Sequence, residues 1–299
     1  MSAGQHSRSL RTVLGSYPTT EALKRADTNS SAVAFDLVDV KPVYRAFKPM
    51  VREIAFDVSE LAIVTYLQAK AFGKPLVLLP AVVVGRFQHH CMLYNAERGA
   101  IGPFDLFGRR IGVRSYTQTT GVWLRGLLAN DYDVDIDRLR WVTFEDAHVA
   151  EYLDPPGVER MGADKDMTQM LLAGELDAAI FGTALPGEPQ LRSVIPDPET
   201  AALAWYQRHR VVPINHMVVV SRALAESRPD AVRQVYDLLL QAKRAAPAQG
   251  DAIDFTPFGI AACRPALQMI IDYALQQQLI ARRLSVDELF EGLPTGLGV

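Results

Sequence analysis

Only two cysteines occur in 299 residues, Cys91 and Cys263. They form no CxxC pair and no cluster of metal-ligand spacing, so they read as buried, reduced thiols rather than as a disulfide. Charge of one sign is also lacking: Lys plus Arg number 31 against 34 Asp plus Glu. With no basic stripe and no interleaved aromatics, nucleic acid is not expected as a partner. No apolar run reaches the roughly 18 residues of a membrane span, so no membrane partner is expected either. The opening MSAGQHSRSLRTVLGSYP lacks the apolar core of about 7–15 residues that a secretory leader needs, which sets the expectation of a cytoplasmic location. Missing too are a Walker A loop, GxGxxG, a GxSxG elbow, an HExxH pair and a cysteine in a nucleophile signature. What remains is chemistry without an organic cofactor, or simple binding. No metal site can be named, although a divalent metal assembled in three dimensions from His and Glu stays open. A homo-oligomer stays open as well.

What is present is an ordinary globular composition, 49% hydrophobic and 22% charged, in a chain long enough for one large domain or two medium ones. Short β-rich runs alternate with helical stretches. LRTVLGSY reads as a strand entering a polar turn, and FDVSELAIVTYLQAKAFG as an acidic turn before a helix. PLVLLPAVVVGRF is a buried strand followed by CMLYN. RRIGVRSY is a strand, TTGVWLRGLLAND the helix after it, and LRWVTFED a strand with an acidic turn. MTQMLLAGELDAAIFG reads as helix, glycine stop and strand. HMVVVSRAL is a strand, and PDAVRQVYDLLLQAKRAA is a helix with proline at its start. PALQMIIDYALQQQLIARR and SVDELF close the chain as helices, the second opening on a serine cap. The stretches 154–157 and 186–198 read as loops. This alternation argues an α/β fold with a mainly parallel sheet covered on both faces. No linker divides the chain. The expectation is two lobes that exchange segments across a hinge: residues 10–88 plus 213–299, and residues 89–212.

In open α/β sheets ligands bind at the carboxyl ends of strands. That singles out Ser16 and Tyr17, Glu60, Arg86 to His90, the loop from Ser115 to Thr120, and His216. The loop carries six hydroxyl or amide side chains in a row: Ser115, Tyr116, Thr117, Gln118, Thr119 and Thr120. A helix N-terminus offers unpaired N–H groups and partial positive charge, and hydroxyls in its first turn add donors, so the run can hold a carboxylate. A single cap would explain one of the hydroxyls and leave the others to face water. Arg86 can pair with a carboxylate in bidentate fashion. His89 and His90, adjacent at a strand edge, would point to opposite faces, so at most one faces a cleft. His216 precedes a buried strand. Asp57 and Glu60 have capping-box spacing, with a buried carboxylate as the competing reading. Asp177 reads as structural.

At these residues the chain resembles the 4,5-dihydroxyphthalate decarboxylases. FDVSELAIVTYL, RFQHHCMLYN, GVRSYTQTTGVWLRGLL, LLAGELDAAI, PINHMVVV and ARRLSVDELF occur in the order seen in that family, over roughly Leu10 to Phe290. The xVWxRGxL helix and the LLAGExDAxI segment are the most specific parts. His89, Trp123, Arg125 and His216 match the family pattern. Gln88 and His90 on either side of His89, Ser115 and the Thr117–Gln118 pair depart from it, which bears on substrate more than on fold. The resemblance implies a two-lobed type II periplasmic-binding-protein-like fold with a ligand cleft between the lobes. It implies an aromatic acid decarboxylase, a carboxy-lyase converting a dihydroxylated aromatic dicarboxylate to protocatechuate and carbon dioxide. The partner is then a small aromatic carboxylate substrate. A solute-binding protein that captures such a ligand without chemistry is the rival reading, and the absence of a leader favours the enzyme. Another enzyme on the same scaffold, acting on a different substituted benzoate, is a third.

Loss of the carboxylate requires an acid to protonate the ring carbon. Histidine reaches a suitable pKa without tuning, whereas a glutamate needs burial. His89 and His216 come from the two crossovers between the expected lobes, so closure would bring both onto one ligand. The expected catalytic residues are therefore His89, His216 and, as second choice, Glu60. Arg86, Ser16, Tyr17 and the 115–120 loop are expected to bind substrate.

Overall fold

The computed structural model describes residues 9–24, 33–162, 164–246 and 253–299. Its strands in chain order are β1 (Leu10–Val13), β2 (Phe35–Leu37), β3 (Val58–Ala62), β4 (Leu76–Gly85), β5 (Met92–Asn95), β6 (Arg110–Val113), β7 (Arg140–Thr143), β8 (Glu159–Arg160), β9 (Ala178–Ile180), β10 (Leu191–Ser193) and β11 (Ile214–Ser221). The helices are α1 (Pro18–Lys24), α2 (Phe47–Glu53), α3 (Ile63–Ala71), α4 (Thr119–Asp131), α5 (Met167–Ala173), α6 (Pro198–His209), α7 (Arg222–Ser227), α8 (Pro229–Ala245), α9 (Ile260–Gln276) and α10 (Val286–Leu289). Among the described residues no helix is long and apolar enough to cross a membrane. Cys91 and Cys263 are unpaired and buried.

The chain divides into two units. The first contains residues 1–85, 214–268 and 284–299, and the second residues 86–213 and 269–283. The sequence assigned 269–283 to the first lobe. Local packing places it in the second: the Trp123 ring of α4 meets the Tyr273 ring edge-on, with centroids 5.7 Å apart. Gly126 permits this approach, because a Cβ there would fall 2.0 Å from the Tyr273 ring. Helix α9 is accordingly split between the units at Gln268.

In the first unit the sheet order is β2-β1-β3-β11-β4. Val58, Val77, Leu79, Val218 and Val220 from the sheet and Val232, Val235 and Leu239 from α8 form its core. Burying each such aliphatic side chain is worth about 1.5–3 kcal/mol. In the second unit the order is β10-β5-β9-β6-β7-β8, with Leu93, Val142 and Ala179 packed against Met170, Leu171 and Leu176. Both sheets are mixed rather than mainly parallel. Strand β11 runs antiparallel to β3 and β4, and β5 runs antiparallel to β9 and β10. Alternating strands and helices dictate parallel crossovers only between neighbours in sequence. A strand that re-enters its sheet after a long excursion is free of that rule.

Two local expectations change. The stretch Val58–Ala62 is a fully buried strand, not an acidic turn. Asp57 instead accepts a hydrogen bond at 2.9 Å from the backbone N–H of Arg11, and no capping box forms with Glu60. A capping box is present at Ser285 and Glu288, where the serine cap was expected. His89–Cys91 form a 3-10 turn, so the alternation expected of a strand edge does not govern His89 and His90.

Candidate active-site residues

Strands β3 and β11 bring Glu60 and His216 together in the first unit. In their antiparallel register His216 faces Ala62 and Val218 faces Glu60, so Glu60 and His216 are diagonal neighbours on one sheet face. The His216 Nδ1 lies 2.6 Å from Glu60 Oε1. Glu60 has no exposed surface, yet three donors surround its carboxylate. Besides the histidine, the Tyr17 hydroxyl donates to Oε1 at 2.8 Å and the Gly15 N–H donates to Oε2 at 2.7 Å. Gly15 is required here, since a Cβ at that position would lie 2.4 Å from the Tyr17 hydroxyl. Burial, then the charge of Glu60 and its hydrogen bond, push the Tyr17 hydroxyl pKa far up, which keeps it a neutral donor. Phe47 meets the His216 ring edge-on at 5.2 Å between centroids. With Nδ1 engaged by the carboxylate, Nε2 is the nitrogen left for proton transfer.

Tyr17 and Ser16 were expected to hold substrate. Tyr17 spends its hydroxyl on Glu60. The exposed Ser16 receives a hydrogen bond at 2.9 Å from Lys24 Nζ, which also donates to the Leu14 carbonyl at 2.7 Å. Glu60 is positioned to orient the His216 imidazole. The sequence singled out Glu60 as a strand-end residue with two readings, a capping box with Asp57 or a buried carboxylate, and the carboxylate is buried. Nothing in the local pattern announces Gly15 or Phe47 as its neighbours.

In the second unit β6 leads through the polar loop into α4, as expected. Ser115, Tyr116, Thr117, Thr119 and Thr120 are buried and Gln118 is half-buried. Ser115 Oγ and Thr117 Oγ1 share a hydrogen bond of 3.1 Å, and the Gln118 N–H closes the turn onto the Ser115 carbonyl at 3.0 Å. Gln118 occupies the N-cap position without a side-chain cap bond. Arg86 Nη2 donates to Thr120 Oγ1 at 3.1 Å, and its Nη1 donates to Cys91 Sγ at 2.8 Å. The guanidinium is therefore tied to the helix start, while its buried Nε has no partner. Tyr116 departs from the expectation of a ligand-facing residue. Its ring lies under the Arg125 guanidinium, 4.1 Å from centroid to Cζ.

His89 is 1% exposed, and neither ring nitrogen has a hydrogen-bond partner. Its ring packs edge-on against Trp205 at 6.0 Å and Phe87 at 6.4 Å. Burial pushes its pKa down to about 4. The expectation that histidine needs no tuning thus fails for this one: an apolar aromatic setting disfavours the imidazolium, and His89 is neutral near pH 7. Asp177 is structural, as read. It accepts from Arg109 Nη1 and from the Arg110 N–H, both at 2.8 Å. Among the described residues no group of three or more His, Cys, Asp or Glu is placed to hold a metal ion.

The geometry can be set beside known proteins. The fold is similar to the alkanesulfonate-binding protein SsuA of Xanthomonas axonopodis pv. citri, at TM-score 0.56 and 15% identity over 93% of this chain and 96% of that one. SsuA of Escherichia coli, a periplasmic aliphatic sulphonate binding protein, gives TM-score 0.59 at 12% identity, covering 94% and 91%. The desulfurization enzyme DSZB gives 0.53 at 16%, covering 95% and 96%. The scaffold is thus the two-unit α/β fold of periplasmic binding proteins, and it is found in an enzyme too. No protein-family model matches the chain. In sequence it is 32% identical over 187 residues, 58% of this chain and 70% of the relative, to a 4,5-dihydroxyphthalate decarboxylase of Pseudomonas putida. It is 33% identical over 236 residues, 74% of this chain and 70% of the relative, to a 4,5-dihydroxyphthalate decarboxylase of Comamonas testosteroni, and the chain belongs to the 4,5-dihydroxyphthalate decarboxylase family.

Proposed function

We infer that this chain is a carboxy-lyase that removes one carboxylate from 4,5-dihydroxyphthalate, giving protocatechuate and carbon dioxide. The observation that carries the proton chemistry is the pairing of His216 Nδ1 with the buried Glu60 carboxylate at 2.6 Å. Each hydroxyl of the substrate is para to a carboxylate and pushes electron density to the carbon that bears it. The bond to the departing carboxylate breaks, carbon dioxide leaves, and the electron pair left on the ring carbon takes up one proton. His216 supplies that proton from Nε2, and the Glu60 charge stabilises the imidazolium that delivers it. A protein that only captured a carboxylate would have no use for a carboxylate-oriented imidazole. The run from Ser115 to Thr120 with Arg86 is the reading for carboxylate binding, supported by its place at the start of α4 and by its buried hydroxyls.

The test is incubation of the purified protein with 4,5-dihydroxyphthalate, with and without a chelator, followed by measurement of carbon dioxide and protocatechuate. Product in both reactions is the expected result. Loss of product on chelation alone would add a divalent metal to the chemistry. No product with or without chelator would overturn the reading.

A further inference from the structure

The charge that lies deepest in the second unit belongs to neither the proton pair nor Arg86. Arg125, on α4, has no exposed surface. Its hydrogen bonds go to neutral acceptors. Nη2 donates to the Tyr116 carbonyl at 2.5 Å and Nε donates to Gln277 Oε1 at 2.7 Å. Gln277 Nε2 in turn donates to the Val122 carbonyl at 2.9 Å. The guanidinium packs against two aromatic rings that meet edge-on, with its Cζ 4.1 Å from the Tyr116 centroid and 5.0 Å from that of Trp141. The Asp154 carboxylate attracts it, yet no hydrogen bond joins the two, and desolvating a cation without such a bond is costly. A fold that needed only to join α4 to residue 277 could do so with apolar side chains.

The bond to the Tyr116 carbonyl has a directional consequence. In a trans peptide the C=O and the following N–H point in opposite ways. A cation on the Tyr116 carbonyl therefore fixes the Tyr116–Thr117 peptide with the Thr117 N–H directed away from Arg125, and polarises it as a donor. We propose that Arg125, held in plane by Gln277, is a positioning residue that orients and polarises the Tyr116–Thr117 peptide so that the loop binds the substrate carboxylate. The proposal rests on the reading of the 115–120 loop as the carboxylate site. It also explains why a charged residue interrupts the apolar run VWLRGLL.

The experiment compares KM and kcat for 4,5-dihydroxyphthalate in Arg125→Lys, Arg125→Met, Gln277→Leu and the double variant Thr119→Val/Thr120→Val, with thermal unfolding recorded for each. A weakened hydrogen bond to a charged group corresponds to about a tenfold change in affinity. Arg125→Met should raise KM about tenfold with kcat nearly unchanged, Arg125→Lys should recover part of the loss, and Gln277→Leu should raise KM several-fold. If the Met variant does not fold, the Lys and Gln277 variants carry the test. An unchanged KM in folded Arg125→Lys and Gln277→Leu, beside a raised KM in the valine pair, would make Arg125 a packing residue and overturn the proposal alone. An unchanged KM in the valine pair would remove the loop as the carboxylate site, and the proposal with it.

Discussion

Glu60 and His216 are held on adjacent antiparallel strands so that one buried carboxylate oxygen lies 2.6 Å from one imidazole nitrogen. Both positions are set by sheet register, and both backbones are tied into the ladder. The pair is therefore pre-oriented before any ligand arrives, which is what a proton carrier requires.

His216→Gln removes the proposed proton carrier and leaves the neighbouring carboxylate with an amide donor. Turnover should fall by roughly 10²–10⁴, with KM changed much less. His89→Gln should have a far smaller effect on turnover, because His89 is neutral in its aromatic setting. Steady-state kinetics on the two variants separate these roles. Wild-type turnover in both would remove the histidine mechanism altogether.

Tyr17→Phe deletes one of the three donors to Glu60 and nothing else of comparable size. The lost hydrogen bond is to a charged, buried acceptor, so unfolding free energy should drop by about 1.5–3 kcal/mol. Turnover should fall less than in the His216 variant, since His216 and Gly15 still hold the carboxylate. Denaturant titration alongside kinetics measures both. A stability equal to wild type would mean that water takes over the hydroxyl's bond.

His89 gives the folded state a pH dependence with a definite sign. Its folded pKa, about 4, lies below the ordinary histidine value of 6.5, so the unfolded chain binds the proton more readily. The stability that comes with neutral His89 is fully present above about pH 6.5 and is lost as pH falls toward 4. The size is about 3 kcal/mol, from roughly 1.36 kcal/mol per unit. In His89→Phe the fall in stability between pH 6.5 and 4 should be shallower than in wild type by that amount. Parallel curves for the two proteins would show that the ring is hydrated or partnered in the folded state.

Much of the second unit was legible in the chain because its signals are local. The helix of TTGVWLRGLLAND begins at Thr119, within the polar run, and the strands RIGV and RWVT lie in the segments read as strands. The polar loop is conspicuous because six hydrogen-bonding side chains in succession have no place in a regular element interior. Asp57 and Glu60 misled for a physical reason. Their spacing satisfies a cap, whereas pairing with β1 on one side and β11 on the other makes VSELA a buried strand. His89 misled in a similar way. A histidine's ordinary pKa is near neutral, but Trp205, more than a hundred positions onward, helps shape the setting that pushes it down.

The sequence by itself determined the α/β class, the alternation of elements, the polar start of α4 and membership of a decarboxylase family through motifs spread over the chain. Those depend on periodicity, capping chemistry and residue identity, which act over a few positions at a time. Only the tertiary structure decided that Glu60 touches His216, that Tyr17 and Gly15 complete its shell, that Arg125 meets Gln277, and that residues 269–283 join the second unit. Each of these joins groups far apart along the chain. Strand register and helix packing bring them together, and no local pattern in the sequence encodes either.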